Sequence, residues 1–210
     1  MEKMIEIIVD GNSLAVTPTI IVLQALQEHD IDIPALCYHQ ALGGSGNCGM
    51  CMVEVWNTNS WEPRHACLLP VKDGLIIKTA TPRLKLLRNW AAKVLLRHRP
   101  FNNIRVEELL AKQIQDEMQS QEDEWLEGSI KKLADNWSDG CVLCGLCIKI
   151  CSKVGKNRLT YLRRGKKLCI SLVRGQDDNA SCGNCRACSH ICPTGFITPN
   201  PQQTFTEILI

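Results

Sequence analysis

The sequence predicts an α+β chain of 210 residues in three parts. A strand-rich domain covers residues 1–80, a helical connector 81–138 and a third domain 139–198, followed by a tail at 199–210. Three observations predict this division. Alternating apolar positions bracket an Asp-Gly pair near the N-terminus and return after a loop rich in glycine and cysteine. The middle of the chain has no cysteine and is dense in Glu, Lys, Gln, Leu and Ala. From Cys141 onward, two cysteine runs of identical spacing flank a pair of alternating segments.

Ile5 to Val9 and Ser13 to Val16 alternate as strands turning at Asp10-Gly11, a favoured hairpin pair. Helical periodicity runs from Thr19 to His29, and the cysteine loop follows. Strands are predicted near Met52 to Trp56 and Leu75 to Thr79. A further helix is predicted from Pro82, well placed for a first turn, to about Arg99, with Leu87, Trp90, Ala91, Val94 and Leu95 on one face. Val106 to Asn136 reads as one or two charged helices, either a solvated connector or a docking surface. Between the cysteine runs, Leu159 to Leu162 and Lys167 to Val173 read as a strand pair turning around Arg164-Gly165. The chain after Ile197, with Pro199 and Pro201, reads as extended.

Twelve of the thirteen cysteines fall into three groups. The first is Cys37-x10-Cys48-x2-Cys51-x15-Cys67, with Gly43, Gly44, Gly46 and Gly49 among its first three members. Four thiolates on a flexible loop suit a 2Fe–2S cluster, since a loop around an inorganic core needs unusual dihedrals and close approach of its amides. Strand, strand, helix, cluster loop, strand, strand is the order of a β-grasp ferredoxin domain. The second group is Cys141-x2-Cys144-x2-Cys147-x3-Cys151, and the third is Cys182-x2-Cys185-x2-Cys188-x3-Cys192-Pro193. This doubled run is the pattern of a bacterial ferredoxin with two 4Fe–4S clusters, in which the fourth cysteine of each run ligates the other cluster. Cys141, Cys144, Cys147 and Cys192 are therefore assigned to one centre, and Cys182, Cys185, Cys188 and Cys151 to the other.

Disulfides and zinc are the rival uses of so many cysteines. The start MEKMIEIIVDG is a charged, alternating strand without the apolar stretch of a secretory signal, so a cytoplasmic location is expected. Zinc sites draw on two separated C-x2-C pairs, whereas these runs place three ligands in one tight turn and send the fourth elsewhere. No stretch of eighteen apolar residues suggests a membrane span. The net charge of +2 does not suggest a polyanion-binding protein. The charge is unevenly spread: residues 101–139 hold ten acidic and four basic side chains, and residues 141–192 hold ten basic and two acidic. Lys149, Lys153, Lys156 and Arg186 are placed to offset the negative charge of thiolate-ligated clusters and to raise their potential. No G-x-G-x-x-G after a strand, no P-loop and no nucleophile beside a base is present, so the chain predicts no flavin, nucleotide or substrate site of its own.

Taken together, the N-terminal spacing, the following helix and the paired runs resemble the N-terminal region of the large iron–sulfur subunit of respiratory complex I. Similar modules occur in iron-only hydrogenases, NAD-linked formate dehydrogenases and the small diaphorase subunit of bidirectional nickel–iron hydrogenases. The resemblance rests on Cys37, Cys48, Cys51 and Cys67, on Cys141 through Cys151, and on Cys182 through Cys192-Pro193-Thr194-Gly195. It implies a non-catalytic electron-transfer subunit of a soluble NAD(P)-linked oxidoreductase, most simply of hydrogenase type. Its partners would be an FMN-containing NAD(P)-binding subunit and a hydrogenase or a molybdenum or tungsten catalytic subunit, with soluble ferredoxin as a further partner and no role for nucleic acid.

One departure from the family matters. Its members carry an additional 4Fe–4S cluster, held by a histidine that ends a helix and by three closely following cysteines. Here His98 stands at the matching place, yet no cysteine follows until Cys141, so the additional cluster is expected to be absent and His98 to be structural. The acidic connector takes the place of the missing cluster domain. Cys169, the thirteenth cysteine, reads as a buried structural thiol. His39, His65 and His190 read as neighbours of the clusters rather than ligands, and Trp56, Trp61, Trp90, Trp125 and Trp137 as packing or interface anchors.

Overall fold

The N-terminal alternation becomes a hairpin, in which β1 (Ile5–Val9) pairs antiparallel with β2 (Asn12–Val16) from Ile5↔Val16 to Val9↔Asn12. At its turn Asp10 and Gly11 take φ of +49° and +89°, the double left-handed geometry of a two-residue hairpin connection. The structure is a computed structural model and describes residues 4–114, 139–173, 182, 185–197, 204 and 208–209. They fall into two compact units, Met1–Ala92 and Lys93–Ile210.

In the first unit β1 also pairs parallel with β7 (Leu75–Lys78), and β7 pairs antiparallel with β5 (Met52–Asn57). A further strand, β6 (Ser60–His65), completes a mixed sheet of order β2-β1-β7-β5-β6. A parallel pair needs a crossover, and α1 (Val22–Glu28) lies within it, burying Val22, Leu23, Ala25 and Leu26 with Ile7, Val9, Val16, Val53 and Ile77 of the sheet. This is the expected β-grasp arrangement. The helix is shorter than the predicted Thr19 to His29 because Ile21 is held in a β-bridge to Pro70, and Gln24 Oε1 accepts the Ile21 N–H at 3.2 Å.

Strand β6 is absent from the predicted elements, since SWEPRH has neither alternation nor strand propensity. Pro63 is tolerated because β6 is an edge strand, where a missing donor leaves no ladder bond unmade. Trp56 and Trp61 pair across β5 and β6 with ring centroids 5.3 Å apart, and Lys78 Nζ lies 4.2 Å from the Trp61 ring centre.

Helix α2 (Pro82–Leu96) forms where predicted, but its buried face is not the predicted one. Leu84, Arg88, Ala92 and Leu95 are buried, while Val94 is 47% exposed. Arg88 decides the rotation: its guanidinium donates to the carbonyl oxygens of Met52 at 2.6 Å and Thr79 at 3.0 Å. A long cationic side chain thus reads as surface in the sequence and serves here as a buried clamp on strand ends.

In the second unit α3 (Ile104–Ala111) is capped by Asn103, whose side chain accepts the Arg105 N–H at 3.2 Å. The rest of the predicted charged helices, with Trp125 and Trp137, lies outside the described residues. Helix α4 (Leu146–Lys153) is followed by β8 (Leu159–Leu162) and β9 (Cys169–Val173), paired from Leu159↔Leu172 to Leu162↔Cys169. Their connection contains the predicted Arg164-Gly165 turn and a short 3-10 turn at Gly165–Lys167. Helix α5 (Ala187–Ile191) follows, and within the tail β10 (Ile208–Leu209) adds parallel to β9.

The Asp10 carboxylate accepts the Thr79 N–H at 2.9 Å and its hydroxyl at 2.5 Å, tying the hairpin turn to the end of β7. Asp10→Ala should lower stability by about 2 kcal/mol, the usual worth of hydrogen bonds to a charged group, read as a lower denaturation midpoint at unchanged slope. Asp10→Gly keeps the left-handed freedom and should lose nearly as much; wild-type stability in that variant would show that turn geometry, not the Thr79 bonds, matters.

Candidate metal centres

The first cysteine group is drawn together at the edge of the N-terminal core. Cys37, Cys48, Cys51 and Cys67 are between 1% and 3% exposed, and Cys51 and Cys67 belong to the apolar cluster that includes Ile7, Leu26 and Ile77. The loop from Cys37 folds back through a two-residue ladder of β3 (Tyr38–His39) on β4 (Gly43–Gly44), and Ser45 donates to the Cys37 carbonyl at 3.0 Å. Cys37 Sγ and Cys48 Sγ lie 3.3 Å apart. Cys51 is held near Cys67 by the Ala66 N–H, which donates to its carbonyl at 2.9 Å. Gly44 is required by contact: a Cβ there would meet the Cys67 carbonyl oxygen at 2.5 Å and its Sγ at 2.6 Å.

These four thiols titrate as a set. The Cys37 thiol is held far below its ordinary range because it accepts hydrogen bonds from Cys48 and Cys67. Cys51 falls to about 6, chiefly by accepting from Cys67. Cys48 and Cys67 are pushed up because they are the donors, and burial adds to the rise. Cys37 and Cys51 are thus the acceptors and Cys48 and Cys67 the donors of one mutually hydrogen-bonded set. Four sulfurs gathered this closely fit the donor set of a binuclear core.

The second unit contains two further cavities. One, with about 330 Å³ of atom-free space, is lined by Cys141, Cys144, Cys147 and Cys192 among apolar neighbours such as Ile170 and Phe196. The other, about 340 Å³, is lined by Cys151, Cys182, Cys185 and Cys188. The fourth cysteine of each run therefore faces the cavity of the other run. Helix geometry explains the crossing: Cys147 and Cys151 stand one turn apart on α4, about 6 Å along its axis, so one helix serves both cavities. Cys188 on α5 and Cys192 just beyond it repeat the device.

Burial pushes three of these thiols up, Cys141 and Cys188 to about 11 and Cys147 further. Such groups become thiolates when a cationic core compensates the burial. Main-chain donors already point at two of the sulfurs: Arg158 N–H to Cys151 Sγ at 3.1 Å, and Leu143 N–H to Cys141 Sγ at 3.4 Å. Neither is legible in the sequence. The buried Thr194 hydroxyl lies 3.5 Å from Cys192 Sγ, and only the run Cys-Pro-Thr-Gly hints at it. The loop after Cys192 is stitched to the start of α3, where Asn103 donates its side-chain amide to the Pro193 carbonyl at 2.8 Å and Asn102 donates to that of Gly195 at 3.0 Å.

The remaining candidates lie apart from the cavity walls. Cys169 is buried in β9, its thiol 3.8 Å from the Leu162 carbonyl. His39 is exposed and accepts the Ala41 N–H at 3.1 Å, His190 is exposed, and the His98 carbonyl accepts from Gly140 N–H at 2.5 Å. His65 is half-buried and hydrogen-bonds Cys51.

Residues 2–82 match the model of a 2Fe-2S iron-sulfur cluster binding domain. Beyond it, the chain is 30% identical over 220 residues to the mitochondrial NADH dehydrogenase (ubiquinone) iron-sulfur protein 1 of Solanum tuberosum, covering 95% of this chain and 28% of the relative. It is 28% identical over 214 residues to an NADH-quinone oxidoreductase subunit of Rickettsia conorii, covering 94% of this chain and 31% of the relative. The chain thus spans under a third of the length of these relatives. A solved NAD+-reducing NiFe-hydrogenase in the H2-reduced state shares the fold, with a TM-score of 0.61 at 19% identity over 93% of this chain and 81% of that one.

Gly44→Ala should abolish the 2Fe–2S absorption and EPR signal while leaving other iron on the chain unchanged. A binuclear signal of wild-type intensity in that variant would contradict the close packing of Gly44 on Cys67.

Proposed function

We propose that this chain is the iron–sulfur electron-transfer subunit of a multi-subunit NAD(P)-linked oxidoreductase, carrying one 2Fe–2S and two 4Fe–4S clusters. The observation that carries the reading is the sorting of twelve cysteines into three sets of four, each around its own loop or cavity. Three cysteines of one tight run with a fourth from the other run suit a polynuclear core better than a single zinc ion, which draws on two separated C-x2-C pairs.

Cys37, Cys48, Cys51 and Cys67 would hold the binuclear cluster. Cys141, Cys144, Cys147 and Cys192 would hold one cubane, and Cys151, Cys182, Cys185 and Cys188 the other. The clusters, when bound, supply one-electron carriers of low potential. The chain contributes the rest: apolar walls that exclude water, amides that donate to sulfur, and helices that hold two ligand sets close together. Among the described residues no helix is long and apolar enough to cross a membrane. Catalysis then belongs to partners: an FMN-containing NAD(P)-binding subunit on one side and a catalytic subunit of hydrogenase type on the other, in the cytoplasm. The hydrogenase assignment rests on the likeness of the motif layout to small diaphorase subunits.

Anaerobic purification of the intact complex, with metal analysis and EPR of the reduced sample, tests this. FMN with nickel, or with a hydrogenase-type iron signal, is expected. Molybdenum or tungsten would move the partner to a formate- or aldehyde-type enzyme, and zinc without paramagnetic iron would overturn the reading. On the chain itself, Cys192→Ser should perturb the cubane of Cys141, Cys144 and Cys147, and Cys151→Ser the other. Perturbation within the same run instead would refute the crossed ligation.

A further inference from the structure

The two cavities of the second unit differ in the charge of the residues around them. Lys156, Arg158 and Arg186 line the cavity of Cys151, Cys182, Cys185 and Cys188. Among the described residues the other cavity has no charged side chain in its wall. Exposure differs in the same sense, since Cys185 is exposed and every cysteine of the other set is buried or half-buried.

Arg186 is the sharpest feature. It follows the second cysteine of its run, the place held by Gly145 in the first run. Both residues take left-handed backbone, φ +45° at Arg186 and +76° at Gly145, and both precede the helix that carries the third ligand. Glycine suits that geometry and a residue with a Cβ does not. A long cationic side chain therefore stands on the cavity wall at a position whose backbone favours none, and strain of this kind points to function.

We propose that these cations polarise the unit, making the Cys151–Cys182–Cys185–Cys188 site the one where an electron shared by the two cubanes rests. The inference depends on the reading of both cavities as cubane sites. Adding an electron adds one negative charge to a site, and cations stabilise that charge more in the cavity they flank than in the one without them. Greater solvent exposure and the short Arg158 N–H to Cys151 Sγ bond at 3.1 Å act in the same direction. Transfer of one electron from the first site to the second oxidises one and reduces the other by the same electron, with no proton or ligand exchanged. Lys156, Arg158 and Arg186 are positioning residues for charge, not ligands.

The test is an EPR-monitored dithionite titration of the full chain, anaerobically loaded with iron and sulfide. Wild type should reduce its two cubanes in separate steps. Arg186→Gly and Lys156→Gln should each lower the potential of the earlier step alone, shifting the electron distribution between the sites by about tenfold, equivalent for one electron to ~59 mV. Arg186→Lys should restore it. Steps that coincide in wild type, or that shift equally or not at all in the variants, overturn the inference. Should Arg186→Gly fail to load, the exposed Lys156→Gln decides alone. An iron and sulfide content below two cubanes in wild type would instead overturn the cubane reading, and the inference with it.

Discussion

Cys51 and Cys67 sit in the same apolar cluster as Leu26 and Ile77, so the N-terminal sheet cannot pack onto α1 without fixing two thiols of the binuclear set. That coupling of core and ligand underlies the first unit. Thiols held this close share hydrogen bonds among themselves, Cys37 and Cys51 accepting and Cys48 and Cys67 donating. Loop glycines then follow from geometry, because Gly44 passes too close to Cys67 for any side chain. Arg88 closes the arrangement by clamping the backbone beside Cys51, at Met52, and the end of β7, at Thr79.

The second unit solves the same problem with helices. A single turn of α4 separates Cys147 from Cys151, and this brings cysteines of both cavities onto one helix. The described part of the acidic connector contributes directly, since Asn102 and Asn103 at the start of α3 anchor the loop after Cys192. The start of α3 is thereby tied to the loop that follows Cys192 on the wall of one cavity. Its first turn is a structural part of the site.

Much of this was legible in the residues themselves. Asp10-Gly11 announced its hairpin and Pro82 its helix start, because each is a local rule of backbone geometry. Other features depended on tertiary context. SWEPRH becomes a strand only because an edge position forgives Pro63. Arg88 turns inward only because two carbonyls await it, which rotates α2 away from the face its apolar residues suggested. The amides of Arg158 and Leu143 reach sulfur through main-chain placement, which no side-chain pattern encodes. The difference in charge between the two cavities needed the fold as well, since Lys156 and Arg158 come from one stretch of chain and Arg186 from another.

Mössbauer spectroscopy of the full chain enriched in isotopic iron, with sulfide quantified in parallel, tests the central claim most directly. The account predicts one 2Fe–2S and two 4Fe–4S subspectra, roughly ten iron atoms per chain. A spectrum with the binuclear component alone, or iron displaced by zinc in the second unit, would contradict it.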